Sequence, residues 1–343
     1  LLTGLLCFSQ LCDRLESVIF IVFFLASICL LNESDMNIFI KNVLMLLMIM
    51  PGPSLIVSTV SAASPTPRDS TLLESRAENP PDAKKDHTLN TEKTVVLVVG
   101  ASGSIGQPVV AEAFRRGYET RALVRDPKQA RLFPDGVKVI VGELTRPDTL
   151  HQAVDGVTAI VFTHGISGND PQGAEQVNYG AVRNILSVLN APARIALMTA
   201  VGVTKPSIGH DWKRRGERLV RASGLPYTIV RPGWFDYNDS DQHQLVLRQG
   251  DTHWTGSPSD GVISRSQIAQ VLVASLTSAP ADHKTFELVA EKGPAQTDLD
   301  PLFAALPADP ATQVDAINDR DNLPLSAEPE SVVQDLNAIR DRF

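Results

Sequence analysis

From residue 94 onward, runs of consecutive apolar residues alternate with stretches in which apolar positions recur at helical spacing. Val95 to Val99 are five apolar residues in a row, the pattern of a strand buried on both faces at the centre of a parallel sheet. Val109, Val110, Ala113 and Phe114 then fall on one helical face. The same alternation predicts strands over 119–124, 137–141, 159–162, 194–198, 227–230 and 286–290. It predicts helices over 107–116, 149–154, 173–189, 211–223, 266–277 and 298–305. Strands alternating with helices imply an α/β fold, a doubly wound parallel sheet in a single domain. Val332, Val333, Leu336 and Ile339 resume the helical spacing and predict a last helix that docks on the domain or on a second copy of the chain, a homo-oligomer.

Before residue 94 the pattern differs. Ser17 to Leu31 is almost wholly apolar but shorter than the roughly 20 residues of a spanning helix. From Met36, Lys41 precedes an apolar stretch over 43–50, a Pro-Gly-Pro break and the small residues Val60-Ser61-Ala62-Ala63. That order resembles a secretory signal peptide cleaved near Ala62 or Ala63. The rival reading is a membrane hairpin, 17–31 and 38–60, turned by Asn32-Glu33-Ser34-Asp35, which carries no positive charge. A third is that residues 1–35 are not translated. Residues 1–63 are therefore expected to be a hydrophobic N-terminal segment, giving an exported or membrane-associated protein, with a cytoplasmic one as the alternative. Residues 64–93, rich in Pro, Ser and charge, lack apolar periodicity and read as a disordered linker. The folded domain is expected over 94–293 and an acidic, partly helical extension over 294–343.

Composition narrows the partners. A net charge of −8, with no basic run interleaved by aromatics, argues against nucleic acid. Cys7, Cys12 and Cys29 all precede residue 30, so the domain has no disulfide, thiolate metal site or cysteine nucleophile. Beyond Gly293 the carboxylates Asp298, Asp300, Asp309, Asp315, Asp319, Asp321, Glu328, Glu330, Asp335 and Asp341 are scattered. Their spacing predicts a solvated face and no metal site.

The first strand runs into glycines at 100, 103 and 106. Gly100 suits a tight turn, Gly103 a close backbone approach to a pyrophosphate, and Gly106 close packing of helix on strand. The helix N-terminus offers unpaired N–H groups and partial positive charge to phosphates. With a strand before it and a helix after it, this triplet predicts a dinucleotide site. About 20 residues past the glycines, an acid would bind the ribose hydroxyl of NAD. Arg125 stands there instead, with Lys128 close by, and a guanidinium suits the 2′-phosphate of NADP. NADP(H) is the expected cofactor, and Asp126 keeps NAD open.

Residues 94–293 resemble the atypical short-chain dehydrogenase/reductases, the NmrA-like and sugar-epimerase-like branch of Rossmann-type NAD(P)-binding proteins. The resemblance rests on Gly100-Ala101-Ser102-Gly103-Ser104-Ile105-Gly106, on Ala122-Leu123-Val124-Arg125-Asp126-Pro127, and on Ser223-Gly224-Leu225-Pro226-Tyr227-Thr228-Ile229-Val230-Arg231-Pro232-Gly233. It implies cofactor contacts from the turn, Ser102, Ser104 and Ile105 included. It also implies them from Glu143 and Leu144 near adenine, from Thr163, His164 and Gly165 beneath ribose and nicotinamide, and from Asn178. The family's catalytic unit is a tyrosine four residues before a lysine, with a Ser or Thr on the substrate oxygen. Lys213 matches the lysine, with Glu217 four residues on, and Thr199 matches the hydroxyl, but Gly209 occupies the tyrosine's position. His210, beside the gap, is a substitute proton carrier, and Tyr179 and Tyr237 are other hydroxyls. Against Lys213 stands its place in a charged run, Lys213-Arg214-Arg215, that reads equally as surface. Trp234 and Phe235 suit an apolar substrate wall, with Tyr237 and Asn238 as polar contacts, and Arg231 a phosphate clamp or, more readily, a structural bond to loop carbonyls. The function implied is an NADP(H)-dependent reductase of a small carbonyl, quinone or sugar-nucleotide-like substrate. The alternative is a non-catalytic NAD(P)H-binding redox sensor or assembly factor; an epimerase or dehydratase, which holds NAD tightly, fits poorly with Arg125.

Overall fold

The computed structural model describes residues 94–166 and 170–343. The leader, hairpin and linker expectations, and the cysteines, lie outside the described residues. The elements run β1 (Val95–Val99), α1 (Gly106–Arg115), β2 (Glu119–Val124), β3 (Lys138–Val141), α2 (His151–Val154), β4 (Ala159–Phe162), α3 (Gly180–Val188) and β5 (Arg194–Met198). There follow α4 (Ile208–Ala222), β6 (Tyr227–Pro232), β7 (Trp234–Phe235), β8 (Gln244–Arg248), β9 (Val262–Ile263), α5 (Arg265–Ser275), β10 (Lys284–Glu291), α6 (Asp300–Ala304) and α7 (Glu330–Arg340). The sheet order is β3-β2-β1-β4-β5-β6-β10-β8, parallel except for β8. This is a Rossmann-type, doubly wound α/β fold, and its order reverses between β1 and β4, where such sheets open a crevice at the strands' carboxyl ends.

All five residues of β1 are buried, as their unbroken apolar run requires in a central strand. On one face of the sheet α2, α3, α4 and α7 close a core through Leu150, Ile185, Leu219 and Leu336. On the other, α1, α5 and α6 close a second through Val109, Val110, Leu272 and Phe303. The final helix docks by Val332, Leu336 and Ile339, each burial contributing about 2 kcal/mol. Val333 and Phe114, counted on apolar faces from their spacing, stand 36% and 37% exposed.

Two departures bear on the site. The helix expected over 173–189 is interrupted by a π-helical turn, Ala174–Tyr179, before α3. Gly216 lets α4 lie against this turn, since a Cβ there would sit 3.0 Å from the Asn178 carbonyl oxygen. The second departure corrects the acidic extension. Residues 309–328 form a strap in which Asp309, Asp315, Asp319 and Glu328 pair with arginines rather than with solvent, whereas Asp321, like Asp298, Asp300, Glu330 and Asp341, is exposed as expected. Arg214, Arg218 and Arg221 form a stripe on α4, 2%, 1% and 7% exposed. Arg218 donates to Asp315 at 2.7 Å and to Glu328 at 2.5 Å, and Arg214 to Asp315 at 3.1 Å. Arg231 meets Asp319 through two 2.7 Å bonds, so it bonds carboxylates and not loop carbonyls. The run containing Arg214 is likewise no surface run. Charges leave water here because each meets an opposite charge through directed hydrogen bonds.

Candidate functional site

The chain leaves β1 at Gly100, whose φ of +83° favours glycine. A Cβ on Gly100 would lie 2.7 Å from the His164 backbone nitrogen, and one on Gly106 would lie 2.1 Å from the Gly100 carbonyl oxygen. The turn therefore presses β1, α1 and the end of β4 together, as the spacing of the glycines foretold. No side chain caps α1 and no acid sits in its first turn. Gln107 N is taken by the Gly103 carbonyl at 3.0 Å and Pro108 has no N–H, so this end offers an anion chiefly its dipole.

Beside this turn lies a cavity of about 270 Å³. Its walls bring together Gly100, Ser102, Gly103, Arg125, Glu143, Leu144, Thr163, His164 and Gly165 from the carboxyl ends of β1, β2, β3 and β4. Five expected residues do not line it. Ile105 is buried in the core, Gly106 packs on the turn, and Ser104 lies on the turn outside the lining. Lys128 is exposed on the 3₁₀ turn Pro127–Leu132. Asn178 acts from behind: its Oδ1 accepts from Ile166 N at 2.9 Å and its Nδ2 donates to the Gly209 carbonyl at 3.4 Å. The Arg125 guanidinium is exposed with no partner among the described residues. Asp126 is committed to its own turn, accepting from Lys128 N at 2.9 Å. Thr163 Oγ1 donates to the Val99 carbonyl at 3.0 Å. Burial, with the nearby charge of Lys213 adding to it, pushes His164 down to about 4, so its ring is neutral at pH 7. Its Nδ1 is buried without a partner among the described residues.

Helix α4 supplies the remaining groups. Gly209, Lys213 and Glu217 recur every four residues along one face. Glu217 is fully buried; it accepts from Thr199 Oγ1 at 2.7 Å and from Arg231 at 3.0 and 2.7 Å. Burial alone would raise its pKa, but the Arg231 and Arg221 guanidiniums outweigh burial and hold it at about 2. Thr199 is thereby tied into an ion-pair floor beneath the site. Lys213 is half-buried, has no hydrogen-bond or ion-pair partner among the described residues, and burial lowers its pKa. Its charge reaches both His164 and His210, lowering each after burial has done so.

His210 lines a second cavity of about 430 Å³, walled by Val201, Lys205, Pro232, Trp234, Phe235 and Trp254 among others. The two other hydroxyls do not fill the place of the tyrosine. Tyr179 OH donates to Asp335 on α7 at 2.8 Å, and Tyr237 stands 62% exposed, edge-on to Trp234. Sequence reading missed Lys205, Trp254 and Asp251. Asp251, with φ of +46°, pins the loop after β5 by accepting from Gly202 N at 2.6 Å and Thr204 N at 2.7 Å. No spacing in the chain announces a contact between residues so far apart.

A parallel sheet in this order, a glycine turn at its switch point and an uncapped helix beyond it define a dinucleotide-binding α/β protein. Residues 100–279 match the NAD(P)H-binding domain family, and the chain belongs to that family. It is 27% identical over 223 residues to the photosystem II assembly factor Ycf39 of Cyanophora paradoxa, covering 60% of this chain and 66% of that one. It is 24% identical to the chloroplastic protein TIC 62 of Pisum sativum, over 65% of this chain and 48% of that one. The chain thus spans about two-thirds of the first of these relatives and half of the second. Sanguinarine reductase of Eschscholzia californica is 24% identical, over 63% of this chain and 97% of its own. Among solved structures, the oxidoreductase ylbE of Lactococcus lactis shares the fold with a TM-score of 0.50 at 14% identity, over 62% of this chain and 96% of that one. The family is NAD(P)H-binding.

Proposed function

We propose that the protein is an NADP(H)-dependent reductase of a small, flat carbonyl or quinone. The observation that carries the cofactor choice is Arg125, a guanidinium with no partner among the described residues on the wall of the first cavity, beside an Asp126 whose carboxylate caps its own turn. A 2′-phosphate would find a bidentate donor there, at the position where NAD-binding sites carry an acid for the ribose diol. The turn fits a dinucleotide: close-packed glycines, an uncapped helix end, and on the wall the buried Nδ1 of His164, without a partner among the described residues. Gly100, Ser102 and Gly103 would hold the pyrophosphate, Glu143 and Leu144 the adenine end, and Thr163, His164 and Lys213 the ribose beside nicotinamide. NADPH supplies a hydride when bound.

The second cavity supports the substrate class. Trp234, Phe235, Trp254 and Pro232 favour a flat apolar molecule over a sugar nucleotide. With Gly209 at the tyrosine's position, His210 is the titratable group on the helix turn facing that cavity. A carbonyl accepting hydride needs one proton on oxygen, which His210 passes from solvent; a quinone carries the added charge on a conjugated oxygen and asks least of such a donor. Thr199, tied to Glu217, positions the floor. Delivery to an organelle or membrane surface through residues 1–63 fits with the chloroplastic relatives.

Gly209 also supports the second reading, a non-catalytic NADP(H) sensor or assembly factor. Oxidation of NADPH, followed by absorbance against a panel of quinones, aldehydes and ketones, separates the two. The reductase reading expects turnover, fastest with quinones, and a fall of about tenfold or more in His210→Gln with ketones. No turnover across the panel refutes it and leaves the binding protein.

A further inference from the structure

Lys205 on the wall of the second cavity, and Arg320 stacked on its Trp254, are charges that the apolar walls do not explain. Trp254 is bracketed by two cations. Lys205 Nζ donates to its carbonyl at 2.9 Å, and the Arg320 guanidinium lies 3.9 Å from its ring centroid. Neither cation has a carboxylate partner among the described residues, in a chain with 39 acids to 31 Lys and Arg. The carboxylate that lines the cavity, Asp260, is spent on its own turn, accepting from Thr255 N at 2.8 Å and Gly256 N at 2.7 Å. The backbone beneath both cations is fixed. Arg214 donates to the Arg320 carbonyl at 2.7 Å, and Asn322 to the carbonyl of Thr204, the residue before Lys205, at 2.9 Å.

The geometry points to a substrate of the second cavity that is a planar aromatic carrying an anionic group, a carboxylate or its equivalent, placed at the Trp254 edge between Lys205 and Arg320. Its ring lies among the aromatic walls while its charge meets two cations that the fold leaves unpaired. Both cations are exposed, so water screens each contact and the preference is moderate. Salt erodes it. This assignment refines the substrate class of the proposed reductase and rests on that reading for its physiological sense, but the binding it describes requires no turnover.

The test is equilibrium binding of naphthoate and of uncharged naphthamide to the purified protein at low salt, followed by tryptophan fluorescence, with NADPH titrated separately. The expected result is naphthoate tighter by about fivefold, the order two exposed ion pairs supply. Lys205→Met and Arg320→Met should each remove part of that preference, Lys205→Arg should keep it, and naphthamide and NADPH affinities should not move. Equal affinity for the two probes, no binding of either, or a preference intact in both Met variants would overturn the assignment. Failure of NADPH to bind, with the naphthoate preference intact, would count against the reductase alone.

Discussion

Replacing Glu217 by Gln tests the buried floor of the site most severely. The Glu217 carboxylate accepts from Thr199 and Arg231 and neutralises both Arg221 and Arg231. The guanidiniums beside it hold its pKa well below the ordinary 4.5 in the fold, so its ionisation favours the folded state at neutral pH. A carboxyl whose pKa is depressed on folding stabilises above its unfolded pKa, and that stability drains as the pH falls from about 4.5 toward about 2. Gln cannot neutralise two buried guanidiniums, so the variant should lose about 3 to 5 kcal/mol at pH 7. Urea unfolding of both proteins at pH 7 and at pH 3 isolates this contribution: the variant should be less stable than the wild type at pH 7, and that deficit should shrink at pH 3. A Glu217→Gln protein within about 1 kcal/mol of wild type at pH 7, with the same acid dependence, would refute the reasoning.

Three further perturbations follow from the same geometry. Burial, aided by the charges of Asp251 and Asp319, raises Glu287 to about 8 against the lowering pull of the Arg231 guanidinium 3.6 Å away. Stability should therefore decline as the pH climbs from 4.5 toward 8, and Glu287→Gln should flatten that limb in thermal melts. Gly106→Ala places a Cβ against the Gly100 carbonyl; calorimetry should show NADPH affinity lost in company with a lowered melting temperature. Leu336→Ala, in the docked face of α7, should cost about 3 kcal/mol in urea unfolding and leave NADPH affinity unchanged.

Much of the nucleotide-binding half is legible in the chain because local pattern dictates it. Strands β2, β4 and β5 fall where the apolar runs place them, and the glycines that a close turn demands stand in line with the strand before them and the helix after. The second half is less legible. Strand β8 is short and partly exposed, and it is held by pairing with β10 rather than by its own periodicity. The π turn at 174–179 packs against Gly216, a contact that no window of sequence contains. The strap was misread as solvated because its partners lie about a hundred residues away: Arg218 to Glu328 spans 110 positions. Scattered carboxylates at no regular spacing give no sign of the arginine stripe they will meet, although the stripe itself, Arg214, Arg218 and Arg221, is visible on a helical wheel.

The central claim is a site built for NADP(H), and calorimetric titration of the wild-type protein and of Arg125→Ala with NADPH and with NADH tests it most directly. The wild type should bind NADPH about tenfold or more tighter than NADH, and the variant should lose that preference through loss of NADPH affinity alone. Equal binding of the two nucleotides by the wild type, or equal losses for both in the variant, would contradict it.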